Sequence, residues 1–324
     1  MKVLKFWAAL LLVLFALSGF SLGQTAAKSY RLGILSPSSG TVERIRAYML
    51  PALALEGFVE GRNLDIEALS GTTQELLPLA QQLLAGKPDA IVAAGSAAIS
   101  AIRAYSGTVP IVGSMIGTDP ILEGFAVSLA KPGGNVTGVV MLAPELDAKR
   151  LDLLRETIPN AHRIATLATS EARERANLLA MQQAATTMGI ELLVVYAGSP
   201  ADYPAALAAA RSGGATALAI VSAPEFFSNA ATLTALALEA GLPTVCEWRS
   251  MAEQGCLLGY GPDLVELQGR IANYLARIFR GAKPGELPIE RPEHYQFAIN
   301  LRTAKALGLT IPPSVLARAD DLIE

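Results

Sequence analysis

The sequence is poor in the side chains that carry out covalent or metal chemistry, with only two histidines and two cysteines in 324 residues. His162 falls in an expected turn beside Arg163, and His294 lies in a polar tail between Glu293 and Tyr295. Neither reaches an expected strand end with a serine and an acid, as a Ser-His-Asp arrangement requires. No His/Cys cluster has metal-ligand spacing, and no G-x-x-x-x-G-K-[ST] phosphate loop is present. Gly259-Tyr-Gly261 is only a fragment of a dinucleotide fingerprint, and it ends a strand instead of opening a first βα turn. A net charge of −3 and a pI near 5.6 leave no basic footprint for nucleic acid. These absences point away from an enzyme, a metal or other cofactor, and a nucleic-acid partner.

The two cysteines, Cys246 and Cys256, are expected to be buried free thiols, with a bridge between them as the alternative in an oxidising compartment. Export is indicated by the first residues. Lys2 and Lys5 precede an unbroken apolar run from Phe6 to Leu17, and small residues follow at Ser21-Leu-Gly23 and Thr25-Ala-Ala27. That run is shorter than the 18 or so residues of a spanning helix, so residues 1–27 read as a cleaved signal peptide. No cysteine precedes Cys246, which closes the lipid-anchored route. The expected location is the periplasm.

What the chain does contain is apolar and periodic. Hydrophobic residues make up 52% and charged ones 17%, over a length that exceeds what one core usually fills, so two domains are expected. The stretch 89–98 sets the pattern. Ala90 to Ala94 is an uncharged run suited to a strand buried on both faces of a parallel sheet. Gly95 turns off its end, and Ser96 stands where a helix N-cap belongs. Strands and helices alternate from Tyr30 in this way, with Thr41 a possible cap of the first helix, and the alternation starts afresh near Glu145. The fold class is therefore α/β: two doubly wound parallel-sheet lobes facing a cleft.

Ligands of open α/β sheets sit beyond the carboxyl ends of the strands. Polar residues at those ends are the candidates: Ser38, Ser96, Ala97, Thr118 and Asp119 from the first lobe, with Thr169, Glu225, Glu247 and Tyr260 from the second. Ser96, the N–H groups of Ser96 and Ala97, and Thr118 suit a carboxylate at a helix start. Asp119, Glu225 or Glu247 suit an ammonium. Together they imply a zwitterion, an amino acid or close analogue, with Tyr260 lining its side-chain pocket. The competing reading is a neutral or anionic solute, with the acids tied to Arg249 or other cations.

Several longer stretches resemble a known family. They include Arg31-Leu-Gly-Ile-Leu-Ser-Pro37, Gly57-Phe-Val-Glu-Gly-Arg-Asn63, Lys87-Pro-Asp-Ala-Ile-Val-Ala-Ala-Gly95, Leu129-Ala-Lys-Pro-Gly-Gly-Asn-Val-Thr-Gly138 and Gly259-Tyr-Gly-Pro-Asp263. Across 30–324 the chain is similar to the substrate-binding components of ABC transporters whose better-known members take up tryptophan and related aromatic amino acids. The resemblance implies the type I periplasmic-binding-protein clam-shell. Its lobes would be 30–142 plus 262–291, and 143–261 plus 292–324. It also implies a monomer that takes a small-molecule ligand in the interlobe cleft and delivers it to an ABC permease in the inner membrane. The alternative is a periplasmic sensing protein that presents its closed form to a membrane receptor. Where the family often has an Asn-Pro type loop this chain has Thr169-Ser-Glu-Ala-Arg173, and Gly117-Thr-Asp-Pro120 replaces a Gly-Asp-Pro, so the ligand does not carry over with the fold.

Overall fold

The computed structural model describes residues 28–141, 143–169 and 172–324. The signal peptide expected over 1–27 and the lobe crossing expected at Leu142 lie outside the described residues. Among the described residues, thirteen strands form two sheets. The first sheet has the order β11-β5-β4-β3-β1-β2 and is parallel throughout. It is built from β1 (Tyr30–Ser36), β2 (Leu64–Ser70), β3 (Ala90–Ala94), β4 (Ile111–Ile116), β5 (Val136–Val140) and the short β11 (Ile289–Glu290). Its central strand β3 is buried at all five positions, which is why its sequence is a continuous apolar run with no alternation.

The second sheet has the order β13-β12-β10-β9-β8-β6-β7. Its strands are β6 (Arg163–Ala168), β7 (Glu191–Tyr196), β8 (Ala217–Ile220), β9 (Thr244–Cys246), β10 (Leu258–Pro262), β12 (Tyr295–Asn300) and β13 (Asp321–Ile323). The β10–β12 pair is antiparallel and the rest are parallel.

The chain thus passes between sheets after Val140, returns after Pro262, and crosses once more between Glu290 and Tyr295. The return is anchored by the helix Leu264–Phe279, capped by Asp263, whose Oδ1 accepts from the Val265 and Glu266 amides. This helix packs on the helix Ser39–Leu55 of the first lobe. Phe279 closes an aromatic cluster there with Tyr30 and Phe58, with ring centroids 4.8 and 5.0 Å from its own.

Three local expectations are corrected. The helix after β3 starts at Gly95, with Ala94 in the cap position, so Ser96 is inside the first turn and does not cap it. Gly95 has φ +78, a left-handed conformation that costs glycine little and brings the helix start one residue closer to the strand. The first long helix likewise starts at Ser39 with Ser38 in the cap position, which puts Thr41 within the helix. The two cysteines form a disulfide, Cα–Cα 6.3 Å, and not two free thiols. The intervening turn folds back over the short helix Arg249–Glu253, which brings β9 and the start of β10 side by side.

Candidate functional site

In both sheets the first strand of the unit has its successor on one side and the next strand on the other, so the order reverses between β1 and β3 and again between β6 and β8. Such switch points open a crevice at the strand ends. The two crevices face each other and share one cavity of about 430 Å³. The first lobe lines it with Pro37 beyond β1, Ala94, Gly95 and Ala97 at the end of β3, Met115 and Gly117 at β4, and Arg44 from the helix Ser39–Leu55. The second lobe contributes Ser222 and Glu225 beyond β8, Phe227, and Glu247 with Trp248 immediately after β9.

Arg44 is the strongest electrostatic feature of the cavity. It is only 8% exposed, yet its Nε and Nη1 have no hydrogen-bond partner among the described residues. Nη2 donates to Thr41 Oγ1 at 3.1 Å, and the guanidinium lies 3.7 Å above the Phe227 ring of the opposite lobe. Burial lowers its pKa, against the pull of Glu247 and Tyr48, but a guanidinium stays protonated in proteins. Buried N–H groups on a cation are expensive to leave unpaired. An acceptor, and above all a carboxylate, fits them in the planar two-point geometry that arginine favours.

Opposite it, Glu247 is 8% exposed, and burial pushes its carboxyl above the ordinary range. Arg150, Arg44 and a hydrogen bond with Ser222 oppose that shift, while Asp147 adds to it. Behind Glu247 stands a more fully paired network, in which Nη2 is the one Arg150 nitrogen without a hydrogen-bond partner among the described residues. Arg150 is 1% exposed; its Nη1 donates to Asp147 Oδ1 at 2.6 Å and Ser222 Oγ at 3.0 Å, and its Nε to the Tyr260 carbonyl at 2.7 Å. Asp147 and Arg150 are one helical turn apart on the helix Ala143–Thr157, which aims both side chains the same way. The disulfide closes a short loop around Glu247 and Trp248 and so fixes the loop that presents the carboxylate.

Of the expected site residues, the structure brings Ala97, Glu225 and Glu247 to the cavity wall. Ser38 lies in an adjoining depression at the cleft rim, together with Glu225 and Phe227. Ser96 and Thr118 do meet across neighbouring strand ends, Oγ to Oγ1 2.7 Å, but neither is part of the cavity wall. Asp119 is used by its own turn, where Oδ1 accepts from the Ile121 amide at 2.8 Å. Thr169 is 3% exposed beyond β6 and is not part of the wall. Tyr260 turns away from the cavity: its ring stacks on Tyr295, with centroids 5.9 Å apart, and only its carbonyl joins the Arg150 network. Arg249, weighed as a partner for the acids, pairs instead with Asp321 and Glu253.

Reasoning from strand ends missed Arg44, Asp147 and Arg150 because all three project from helices. Their signal was a basic residue in the second turn after β1, and an Asp-x-x-Arg spacing that on most helices is a solvated pair.

Two doubly wound lobes that share a buried, two-signed cavity define a solute-binding protein of the type I periplasmic-binding-protein fold. The chain belongs to the ABC transporter substrate binding protein family, whose profile matches residues 38–323. It is 24% identical over 277 residues to the tyrosine-binding protein of Clostridioides difficile, covering 83% of this chain and 78% of that one. Among solved structures it is similar to a conserved domain protein from Vibrio cholerae, at 26% identity and TM-score 0.82, covering 91% of this chain and all of that one. A Streptococcus pneumoniae ABC domain in complex with L-Trp has the same fold, at TM-score 0.80 and 24% identity, with 91% of this chain and all of that one covered.

Proposed function

We propose that the protein is the extracytoplasmic solute-binding component of an ABC importer and that it carries an amino acid or a close analogue in the interlobe cavity. In this reading it binds its solute unchanged, works as a monomer in the periplasm after removal of residues 1–27, and hands the solute to an inner-membrane permease. The lobes that close on the ligand are 30–142 plus 262–291, and 143–261 plus 292–324.

The single observation that carries the reading is the pair of opposite buried charges contributed by different lobes. Arg44 of the first has two nitrogens, Nε and Nη1, without a partner among the described residues, and Glu247 of the second is held against its burial cost. A ligand carboxylate on Arg44 and a ligand ammonium on Glu247 would satisfy both at once, and only in the closed form, so the ligand itself supplies the differential affinity that drives closure. This assigns the carboxylate to Arg44 in place of Ser96 and Thr118. Binding names on relatives, a tyrosine-binding protein and an L-Trp complex, agree with the class.

The test is calorimetry of the wild-type protein with amino acids, their deaminated acids and their amides. Micromolar affinity, roughly −8 kcal/mol, is expected for the intact zwitterion, with loss on removing either charge. Equal binding of the deaminated acid would exclude the ammonium contact, and no binding by any of the three classes would exclude the amino-acid reading.

A further inference from the structure

The backbone around Met115 departs from regular strand geometry in a way that the fold alone does not require. Strand β4 pairs with β5 in register from Ile111↔Val136 to Gly113↔Gly138, but the next pair is Ile116↔Val140. Three steps on β4 match two on β5, which is a one-residue bulge. Met115 lies within it at φ +57, a left-handed conformation uncommon for a long side chain. Such a conformation is costly and persists only where the surroundings impose it.

Those surroundings can be identified. A Cβ on Gly138 would stand 2.1 Å from the Gly113 carbonyl oxygen, so the two backbones touch where the bulge begins. A Cβ on Gly113 would fall 2.6 Å from Ile116 Cδ1 and 2.9 Å from Ile99 Cδ1, so Ile116 folds over the space that Gly113 leaves empty. In an unbroken strand, residue 115 would share the Gly113 face and Ile116 would point to the other side. The bulge exchanges them. Ile116 is fully buried in the core with Ile99 and Ile102, and Met115, half-buried, packs against the edge of the other core cluster and lines the cavity wall. Met141 lines the wall beside it, its amide donating to the Ile116 carbonyl at 2.7 Å.

We propose that Met115 is the specificity-determining wall of the cavity, delivered there by the β4 bulge, and that its thioether sets the size of the side chain a bound amino acid can carry. This rests on the amino-acid reading above. Methionine suits the task because it is unbranched and polarizable, and it packs against both aliphatic groups and ring edges.

Two measurements test the assignment. The first needs no ligand: melting of the apo forms of wild type, Met115→Gly and Met115→Ala. A side chain that lines a cavity and only edges the core, on a left-handed backbone that glycine relieves, predicts a melting temperature for Met115→Gly no more than about 5 °C below wild type. A fall of more than about 5 °C would mark Met115 as core packing and overturn the assignment. The second is calorimetry of wild type, Met115→Ala, Met115→Phe and Met115→Leu with alanine, leucine, phenylalanine and tryptophan. Met115→Ala is expected to raise the tryptophan-to-alanine affinity ratio at least tenfold, Met115→Phe to lower it by a similar factor, and Met115→Leu to restore it to within threefold. If the variants move all four ligands by one common factor while wild type binds, the specificity role fails and the amino-acid reading stands. If wild type binds none of the series, the amino-acid reading fails and this assignment falls with it.

Discussion

Arg44 in the first lobe and Arg150 in the second are both buried arginines, 8% and 1% exposed, but they are used in opposite ways. Arg150 holds Asp147, Ser222 and the Tyr260 carbonyl within 2.6–3.0 Å through Nε and Nη1, which leaves Nη2 as its one nitrogen without a partner among the described residues before any ligand arrives. Arg44 has one hydrogen bond, to Thr41, and lays its face on a ring of the other lobe. The same division runs through the scaffold: the disulfide and the antiparallel β10–β12 pair both belong to the second lobe. One side of the cavity is pre-built, and the other holds back its hydrogen-bonding capacity for the ligand. A cleft that must open and close gains from this asymmetry, because ligand contacts decide the closed state only if the protein has not already satisfied them.

The largest effect that could break this comparison is on stability in the second lobe. Arg150→Met leaves Asp147 buried without its cation and should cost about 3–5 kcal/mol in denaturant unfolding. A loss below about 1 kcal/mol would mean the network is not structural. Arg44→Met is the matching change in the first lobe, and it should separate binding from stability. Amino-acid affinity should fall roughly 100-fold or more by calorimetry, as expected when a buried charge pair with the ligand loses one member. Apo stability should hold or rise, because an unsatisfied cation has been removed. If Arg44→Met unfolds the protein as Arg150→Met does, the two arginines are alike and the asymmetry is wrong.

Next in size is the disulfide. Cys246→Ser with Cys256→Ser opens a short loop and should lower stability by roughly 2–3 kcal/mol. It should also weaken binding, because Glu247 and Trp248 follow Cys246 directly. Binding unchanged beside a clear stability loss would confine the bridge to a scaffold role.

The smallest effect expected is on pH. Burial raises the Glu247 carboxyl above its ordinary value of 4.5, with Arg44, Arg150 and Asp147 as the charged groups around it. The apo fold therefore holds this proton more tightly than the unfolded chain does. The resulting contribution to stability is full below pH 4.5 and is lost as pH rises through the raised value. A ligand ammonium prefers the ionised form, so affinity should run the other way and weaken as pH falls through the same window. Opposite trends in apo melting and in calorimetric affinity, both flattened in Glu247→Gln, are the expected result. Parallel trends would exclude Glu247 as the ammonium partner.

The site was only partly legible in the sequence, and the division follows geometry. Ala97, Glu225 and Glu247 were found because they stand where a buried strand gives way to a turn, and apolar runs mark such points one residue at a time. Ser96 and Thr118 were correctly judged to be neighbours, but which way their hydroxyls faced depends on a helix that starts one residue early at a left-handed glycine. Tyr260 was drawn to the cleft by its position and then taken out of it by Tyr295, a partner thirty-five residues away on an antiparallel strand.

The order of elements, the all-apolar character of strands such as β3 and the restart of the pattern in a second unit all follow from local periodicity, which each segment carries by itself. Two doubly wound lobes were therefore determined by the sequence alone. The polarity of the cavity was not, because it depends on which helix faces are turned inward, and an Asp-x-x-Arg pair has the same spacing whether water or a second sheet lies opposite it. Nor was the bulge that brings out Met115, since it starts where two glycines on different strands, Gly113 and Gly138, come into contact. Burial and register are properties of pairs of distant segments, and only the folded molecule brings those pairs together.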